Sequence, residues 1–330
     1  MGSVEIKQSV IEYRISSVAY ILYPDGGVPV KFINGFAGLA GEQICVYAVI
    51  LCLDFLKKGY KDCQKDIKSL LHVYIGVVLC GKVSNFAFSM KLLLDFGNTR
   101  VKVAVLEEGG LRNVYSGPVL LKQLSNVVRC MDIDGGMWCS VHPLDTSILD
   151  WMQSLGLIPL TSSTPVPLGN SYSTPQTLGM DRLAAAVGAW AMQPGHDLLV
   201  IDAGTAITYD FVSADGVYQG GNIAPGISMR FKALHEHTGA LPLVTSSATP
   251  PLIGSDTVAA IRGGVLNGVR YEINGYIGEL ESLYPSLLVF LTGGDAEFFD
   301  IKAKSTTFAV PDLVLYGLMR IMEHNEKGIG

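Results

Sequence analysis

Two short phrases in this chain bring together residues that can hold a phosphate. Leu92-Leu93-Leu94-Asp95-Phe96-Gly97-Asn98-Thr99 and Leu199-Val200-Ile201-Asp202-Ala203-Gly204-Thr205 each run an apolar stretch into an aspartate, then a glycine and a hydroxyl residue. A β-prone run follows each one, Val101 to Leu106 and Ile207 to Val212, which predicts a buried strand, a turn and a returning strand. Such a turn gathers a carboxylate, bare backbone N–H groups and a hydroxyl at one point, as a phosphate with its metal ion requires. Lys102, three residues beyond Thr99, adds a positive charge. Two such turns facing each other would grip a nucleotide from both sides. The competing reading is an ordinary hairpin, since Asp, Gly and Asn are common turn residues. The repetition, with Thr292-Gly293-Gly294 after a further strand, argues for phosphate.

Gly179-Met180-Asp181-Arg182 precedes a predicted helix. Asp181 reads either as a helix cap, worth about 1 kcal/mol, or as a general base for a substrate hydroxyl. In the second case Arg182 would clamp a substrate carboxylate in bidentate fashion. No Walker loop, dinucleotide fingerprint or Gly-x-Ser-x-Gly elbow occurs, so any bound phosphate falls to the doubled turn.

The elements that must position these groups are readable from residue 90 onward. Strands are expected up to Phe96, over Val101 to Leu106, Asn113 to Leu120 and Met137 to Val141, then a helix over Leu144 to Leu155. A helix over Arg182 to Gln193 buries Leu183, Ala186, Val187 and Trp190 and stops at Pro194-Gly195. After the second phrase come a glycine-rich passage (Gly216 to Gly226) and a long helix from about Asp256 to Leu283. A strand over Leu287 to Leu291 and a helix near Asp312 to Glu323 complete the series. One strand-turn motif doubled within such an order predicts two related α/β halves, 90–195 and 196–330, around a central cleft.

Residues 1–89 differ. They hold four of the six cysteines and a charge balance of +2 against −8 for the rest, with no sustained periodicity. They read as an accessory domain or as an extension outside the working protein, such as translation from an upstream start. The lack of agreement among local signals favours the extension.

With 49% apolar and 16% charged residues the chain expects a large core, and a net charge of −6 offers nucleic acid no general attraction. The apolar runs Val46 to Leu56 and Leu70 to Leu79 are too short to span a membrane. No lysine-rich start followed by an apolar stretch and a small-residue cleavage site is seen at residue 1, so secretion is not expected. The cysteines, at 45, 52, 63, 80, 130 and 139, follow no metal-site spacing and read as free thiols in a reducing cytoplasm. His235 and His237, with no cysteine near, read as loop residues.

From Met90 on, the chain resembles the type III pantothenate kinases of the acetate and sugar kinase/actin superfamily. Seven phrases carry the resemblance in order: Asp95 to Lys102; Tyr172 with Gly179 to Arg182; Asp202 to Thr205; Gly220 to Gly226; Thr238 to Pro242; Gly254 to Thr257; and Thr292 to Ala296. The resemblance implies a duplicated ribonuclease-H-like (actin-like ATPase) fold. It implies ATP-dependent phosphorylation of pantothenate in coenzyme A synthesis, in a cytoplasmic homodimer without nucleic acid or membrane partners. Carried over by position, Asp95, Phe96, Gly97, Asn98, Thr99, Arg100, Val101 and Lys102 would bind the phosphates of ATP with Mg²⁺, and Thr205 would touch ATP from the second half. Asp181 would be the base. Tyr172, Gly179, Met180, Asp181, Arg182 and Thr257 would line the pantothenate pocket, and Asp202 would hold a monovalent cation, K⁺ or NH₄⁺. Residues 1–89 have no family counterpart, and Gly239 stands where the family often has Ala. Two rivals stay open: a kinase of the same superfamily acting on another small hydroxylated acid or sugar, and an ATP-binding assembly protein that needs no base.

Overall fold

The computed structural model describes residues 18–21, 30–33, 90–107, 110–129, 131–246, 249–298 and 304–327. The chain divides into two compact units, Met1–Phe86 and Ala87–Gly330. In the first, strands β1 (Val18–Ile21) and β2 (Val30–Ile33) pair antiparallel. The other expectations for 1–89, including the apolar runs and the four cysteines there, lie outside the described residues, as does Cys130.

The second unit holds two sheets of the same design. In the first, β3 (Met90–Phe96), β4 (Val101–Glu107) and β5 (Gly110–Gly117) form an antiparallel meander. Helix α1 (Leu121–Val128) then leads to β6 (Ile133–Ser140), parallel to β3, and α2 (Thr146–Ser154) leads to β7 (Leu157–Pro159), parallel to β6. The order is β5-β4-β3-β6-β7. Short β8 (Gly169–Asn170) and helix α3 (Met180–Met192) follow.

The second sheet repeats this plan. Strands β9 (Leu198–Ala203), β10 (Ala206–Ser213) and β11 (Val217–Pro225) form the meander. Helices α4 (Ile227–Glu236) and α5 (Thr257–Leu283) lead to β12 (Leu288–Thr292), parallel to β9, and β13 (Thr307–Ala309) adds in parallel before α6 (Leu313–Lys327). The order is β13-β12-β9-β10-β11-β8. Apart from β8 it matches the first sheet strand for strand, so the duplication hinted at by two turns extends through both halves. The glycine-rich passage from Gly216 to Gly226 proves to be mostly strand β11.

Burial divides along the alternation of the strands. Leu92, Leu93 and Leu94 are all fully buried because β3 has a core on each face. Leu92, Leu94 and Phe96 pack outward on α1 and α2. Leu199, Ile201 and Ala203 pack outward on α4 and α5. The inward residues, Leu93, Ala104 and Cys139 from one sheet and Leu198, Val200 and Phe290 from the other, share a central core with α3 and α6. Those helices cross closely because Gly317 has no side chain: a Cβ there would lie 1.8 Å from the Ala184 carbonyl oxygen. Helix α6 packs on β3, β4 and β6, and α3 packs on β9 and β10. Each half thus lends its last helix to a core shared by both. Among the described residues no helix is long and apolar enough to cross a membrane.

Candidate active site

Both aspartates of the doubled turn sit near the ends of their strands on the inward faces. Asp95 pairs in register with Lys102 on β4 and Cys139 on β6. Asp202 pairs with Thr208 on β10 and Thr292 on β12. The turns differ in length. Gly97 to Arg100 forms a four-residue loop closed by the Gly97 N–H donating to the Arg100 carbonyl (3.1 Å), with Asn98, Thr99 and Arg100 exposed. Gly204-Thr205 is a two-residue turn, in which the Gly204 N–H donates to the Ala206 carbonyl (3.0 Å). The two turns meet: Thr99 Oγ1 and Thr205 Oγ1 are 3.0 Å apart.

Three carboxylates crowd this junction. Burial, then Asp181, pushes Asp95 up to about 6, against the pull of Lys102 and of the Cys139 thiol, whose Sγ lies 3.7 Å from Asp95 Oδ1. Burial, then Asp95 and Asp181, pushes Asp202 up to about 7, and only Lys102 works the other way. Asp181 is also raised, by burial and by Asp210, although the Arg182 N–H and guanidinium hold it back. The Lys102 ammonium is shared: Nζ donates to the Pro311 carbonyl at 2.5 Å and stands 3.8 Å from Asp312 Oδ1. The junction is short of positive charge, which suits cations. Among the described residues no three His, Cys, Asp or Glu side chains converge to hold a metal ion. An ion here must complete its shell with phosphate or water oxygens, as Mg²⁺ commonly does. Thr208 Oγ1, in the same face as Asp202, is a buried hydroxyl without a hydrogen-bond partner.

The other candidate residues gather at the start of α3. Gly179 is the residue before the helix and Asp181 lies in its first turn. Arg182 is buried, and its fork is taken: Nε and Nη2 donate to Asp210 Oδ1 at 2.9 and 2.6 Å, and Nε reaches Oδ2 at 3.3 Å. Tyr218 donates its hydroxyl to the same Oδ1 at 2.6 Å. The Tyr172 ring lies 6.0 Å from the Arg182 guanidinium carbon and 6.1 Å from the Tyr218 ring. Tyr172 is set by its N–H donating to Asn170 Oδ1 (2.9 Å) and by Gly220, where φ is +115° and a Cβ would meet the ring at 3.3 Å. Asp95, Thr99, Lys102, Asp181, Asp202 and Thr205 are therefore coupled at one junction of the two sheets, with Arg182 following Asp181 and Tyr172 beside it. Thr257 is apart. It opens α5, which packs on the outward face of the second sheet, and it is exposed.

Sequence reading passed over Asp210, Tyr218, Thr208 and Cys139. A signal existed for two of them: Thr208 and Asp210 interrupt an apolar strand at alternate positions, which places them on the face of Asp202. Tyr218 and Cys139 gave none, because their partners are set by strand pairing.

A family model described as type III pantothenate kinase matches residues 91–279. A type III pantothenate kinase of Phocaeicola vulgatus is 48% identical over 241 residues, covering 72% of this chain and 100% of its own. One from Bacteroides fragilis strain ATCC 25285 is 48% identical over 243 residues, covering 73% and 100%. Among solved structures, MreB 5 of Spiroplasma citri bound to AMPPNP overlaps 73% of this chain and 98% of its own, at 13% identity and a TM-score of 0.41.

Proposed function

This chain belongs to the type III pantothenate kinase family, and we infer from that premise how its own residues carry the reaction. The enzyme is a kinase that phosphorylates pantothenate with ATP in coenzyme A biosynthesis. The observation that carries the assignment of roles is the meeting of Thr99 and Thr205 at 3.0 Å beside three mutually repelling carboxylates.

Phosphoryl transfer asks for placement and charge neutralisation more than for covalent help. The Gly97 to Arg100 loop, opened by Asp95 and Phe96, offers its N–H groups and the Thr99 hydroxyl to the phosphates. Val101 anchors the loop in the core, and Lys102 supplies charge. Thr205 meets the nucleotide from the other side. Asp95 would hold Mg²⁺, which neutralises phosphate charge when bound. Asp202, with the Thr208 and Thr292 hydroxyls in its register, makes an oxygen-rich place for K⁺ or NH₄⁺. Asp181 takes the proton of the pantothenate hydroxyl as its oxygen bonds to the γ-phosphorus and the bond to ADP breaks. The raised proton affinity of Asp181 makes it a better base than an ordinary carboxylate. Tyr172 and Gly179 to Arg182 would line the acceptor pocket.

Thr257 opens a helix that packs on the outward face of its own sheet. We assign it to the pocket of a second copy in a homodimer. Exposed Leu252, Ile253 and Val258, within five residues of it in the chain, offer the apolar contact. Sedimentation should show a dimer, and a monomer at micromolar concentration would remove this role. The free, buried thiol of Cys139 supports a cytoplasmic location.

ADP release measured with and without pantothenate tests the whole reading. The expected result is release that depends on pantothenate. Equal release without it would favour an assembly ATPase, and a response only to another hydroxylated acid or sugar would move the enzyme to a different acceptor.

A further inference from the structure

Asp210 is 1% exposed and Arg182 6%. Two opposite charges taken this far out of water are costly unless geometry and hydrogen bonding repay the loss. Here they do. The Nε–Nη2 fork of the guanidinium closes on Oδ1 of the carboxylate, with Nε also reaching Oδ2, and the fully buried Tyr218 donates to the same Oδ1. A fork of this kind fixes a guanidinium in direction as well as in place. Nη1 is not used by Asp210, and the Tyr172 ring lies 6.0 Å from the guanidinium carbon.

Asp210 stands on β10, two residues from Thr208 and in the strand paired to Asp202. Through Arg182 it therefore ties the first turn of α3, where Asp181 sits, to the sheet that carries Asp202 and Thr205. Tyr218, on β11, closes the arrangement from the neighbouring strand.

We propose that Asp210, fastened by Tyr218, is a positioning residue for acceptor binding: it holds one edge of Arg182 so that the other is presented to the pantothenate carboxylate. This rests on the reading of Arg182 as a pocket residue. A purely structural ion pair would affect folding and leave acceptor affinity alone, so steady-state kinetics separate the two.

The test varies pantothenate and ATP separately, using the full chain with Arg182→Ala, Asp210→Asn, Tyr218→Phe and both double variants with Arg182→Ala. Loss of a hydrogen bond to a charged group predicts a pantothenate KM raised about ten-fold or more in Asp210→Asn and about three-fold in Tyr218→Phe. The KM for ATP should stay within about two-fold in both, because uniform binding of the nucleotide is untouched. In the Arg182→Ala background each second change should add less than about two-fold, as residues acting through one another do. Should Arg182→Ala leave the pantothenate KM unchanged, the pocket reading itself falls and takes this inference with it. If Arg182→Ala raises that KM while the other two do not, or if their effects multiply fully in its background, the inference alone is overturned. Tyr218→Phe and its double variant separate the same outcomes if Asp210→Asn does not fold.

Discussion

The two halves share a strand order but not a charge distribution. Asp95 faces an ammonium, Lys102, across its pair of strands, and a thiol on the third. At the matching positions Asp202 faces two hydroxyls, Thr208 and Thr292. The first turn is a four-residue loop with exposed residues; the second is two residues long. Duplication thus preserved the backbone device and changed what surrounds it. A loop with its own cation suits a bound phosphate chain. A carboxylate among hydroxyls, pushed to a higher proton affinity by burial and by Asp95 and Asp181, suits a small cation. The difference lies in single residues at equivalent register positions, so single substitutions can break it.

The largest effect is expected outside both turns. Asp181→Asn should cut turnover by roughly 10²–10⁴ while nucleotide binding persists; near-normal turnover would remove Asp181 as the base. Next comes the contrast between the halves. Losing one charged contact costs about 1.5–3 kcal/mol, or roughly ten- to a hundred-fold. Asp95→Asn should show that loss in the KM for Mg-ATP, whereas Asp202→Asn should show it as lost activation by K⁺ or NH₄⁺. Identical profiles for the two variants would make the turns equivalent after all.

The pH dependence of the ligand-free protein sharpens the same contrast. Asp95 and Asp202 hold protons up to about 6 and about 7 in the folded state, while in the unfolded chain they ionise near about pH 4. Between those values the folded state binds the extra protons, so stability falls as pH rises and levels off above about 7. Thermal unfolding should show a declining Tm across that window. Asp202→Asn should flatten the decline more than Asp95→Asn, and a Tm that climbs instead would reverse the assignment. The smallest effect is expected from Thr208→Val. Its hydroxyl has no protein partner, so stability should change by less than about 1 kcal/mol, yet saturation by K⁺ should require several-fold more of the ion. An unchanged cation response would take Thr208 out of that site.

Much of this was legible because its signals are local. An apolar run ending in Asp-x-Gly and a hydroxyl marks a strand and its turn wherever it occurs, and β3, β4, β9 and β10 lie where that pattern puts them. Helix α3, expected from Arg182, begins at Met180, two residues earlier, because Gly179 rather than a side-chain cap precedes it. Strand β11 was hidden by its glycines, which weaken β-propensity; at Gly220 the missing side chain makes room for Tyr172. Helix α4 and strands β7 and β13 are short pieces held by packing on a sheet rather than by their own periodicity, whereas α1 is amphipathic but only eight residues long. Arg182 shows the limit most clearly. Its sequence neighbours suggested a free clamp, but its partner Asp210 stands 28 residues away on a strand of the other half.

The sequence by itself determined the two strand-turn phrases, the acidic residue at the head of α3 and the family these belong to, because each is a matter of residue type at fixed short spacing. Only the tertiary structure decided that the turns meet through Thr99 and Thr205, that Lys102 pairs in register with Asp95, that Arg182 is held by Asp210 and Tyr218, and that Thr257 opens a helix on the outward face of its own sheet. Those relations depend on which strands pair and which faces turn inward, and no local spacing encodes a contact between residues a hundred positions apart. The doubled turn is local chemistry; the inequality between its two copies is made by the neighbours that folding brings to each.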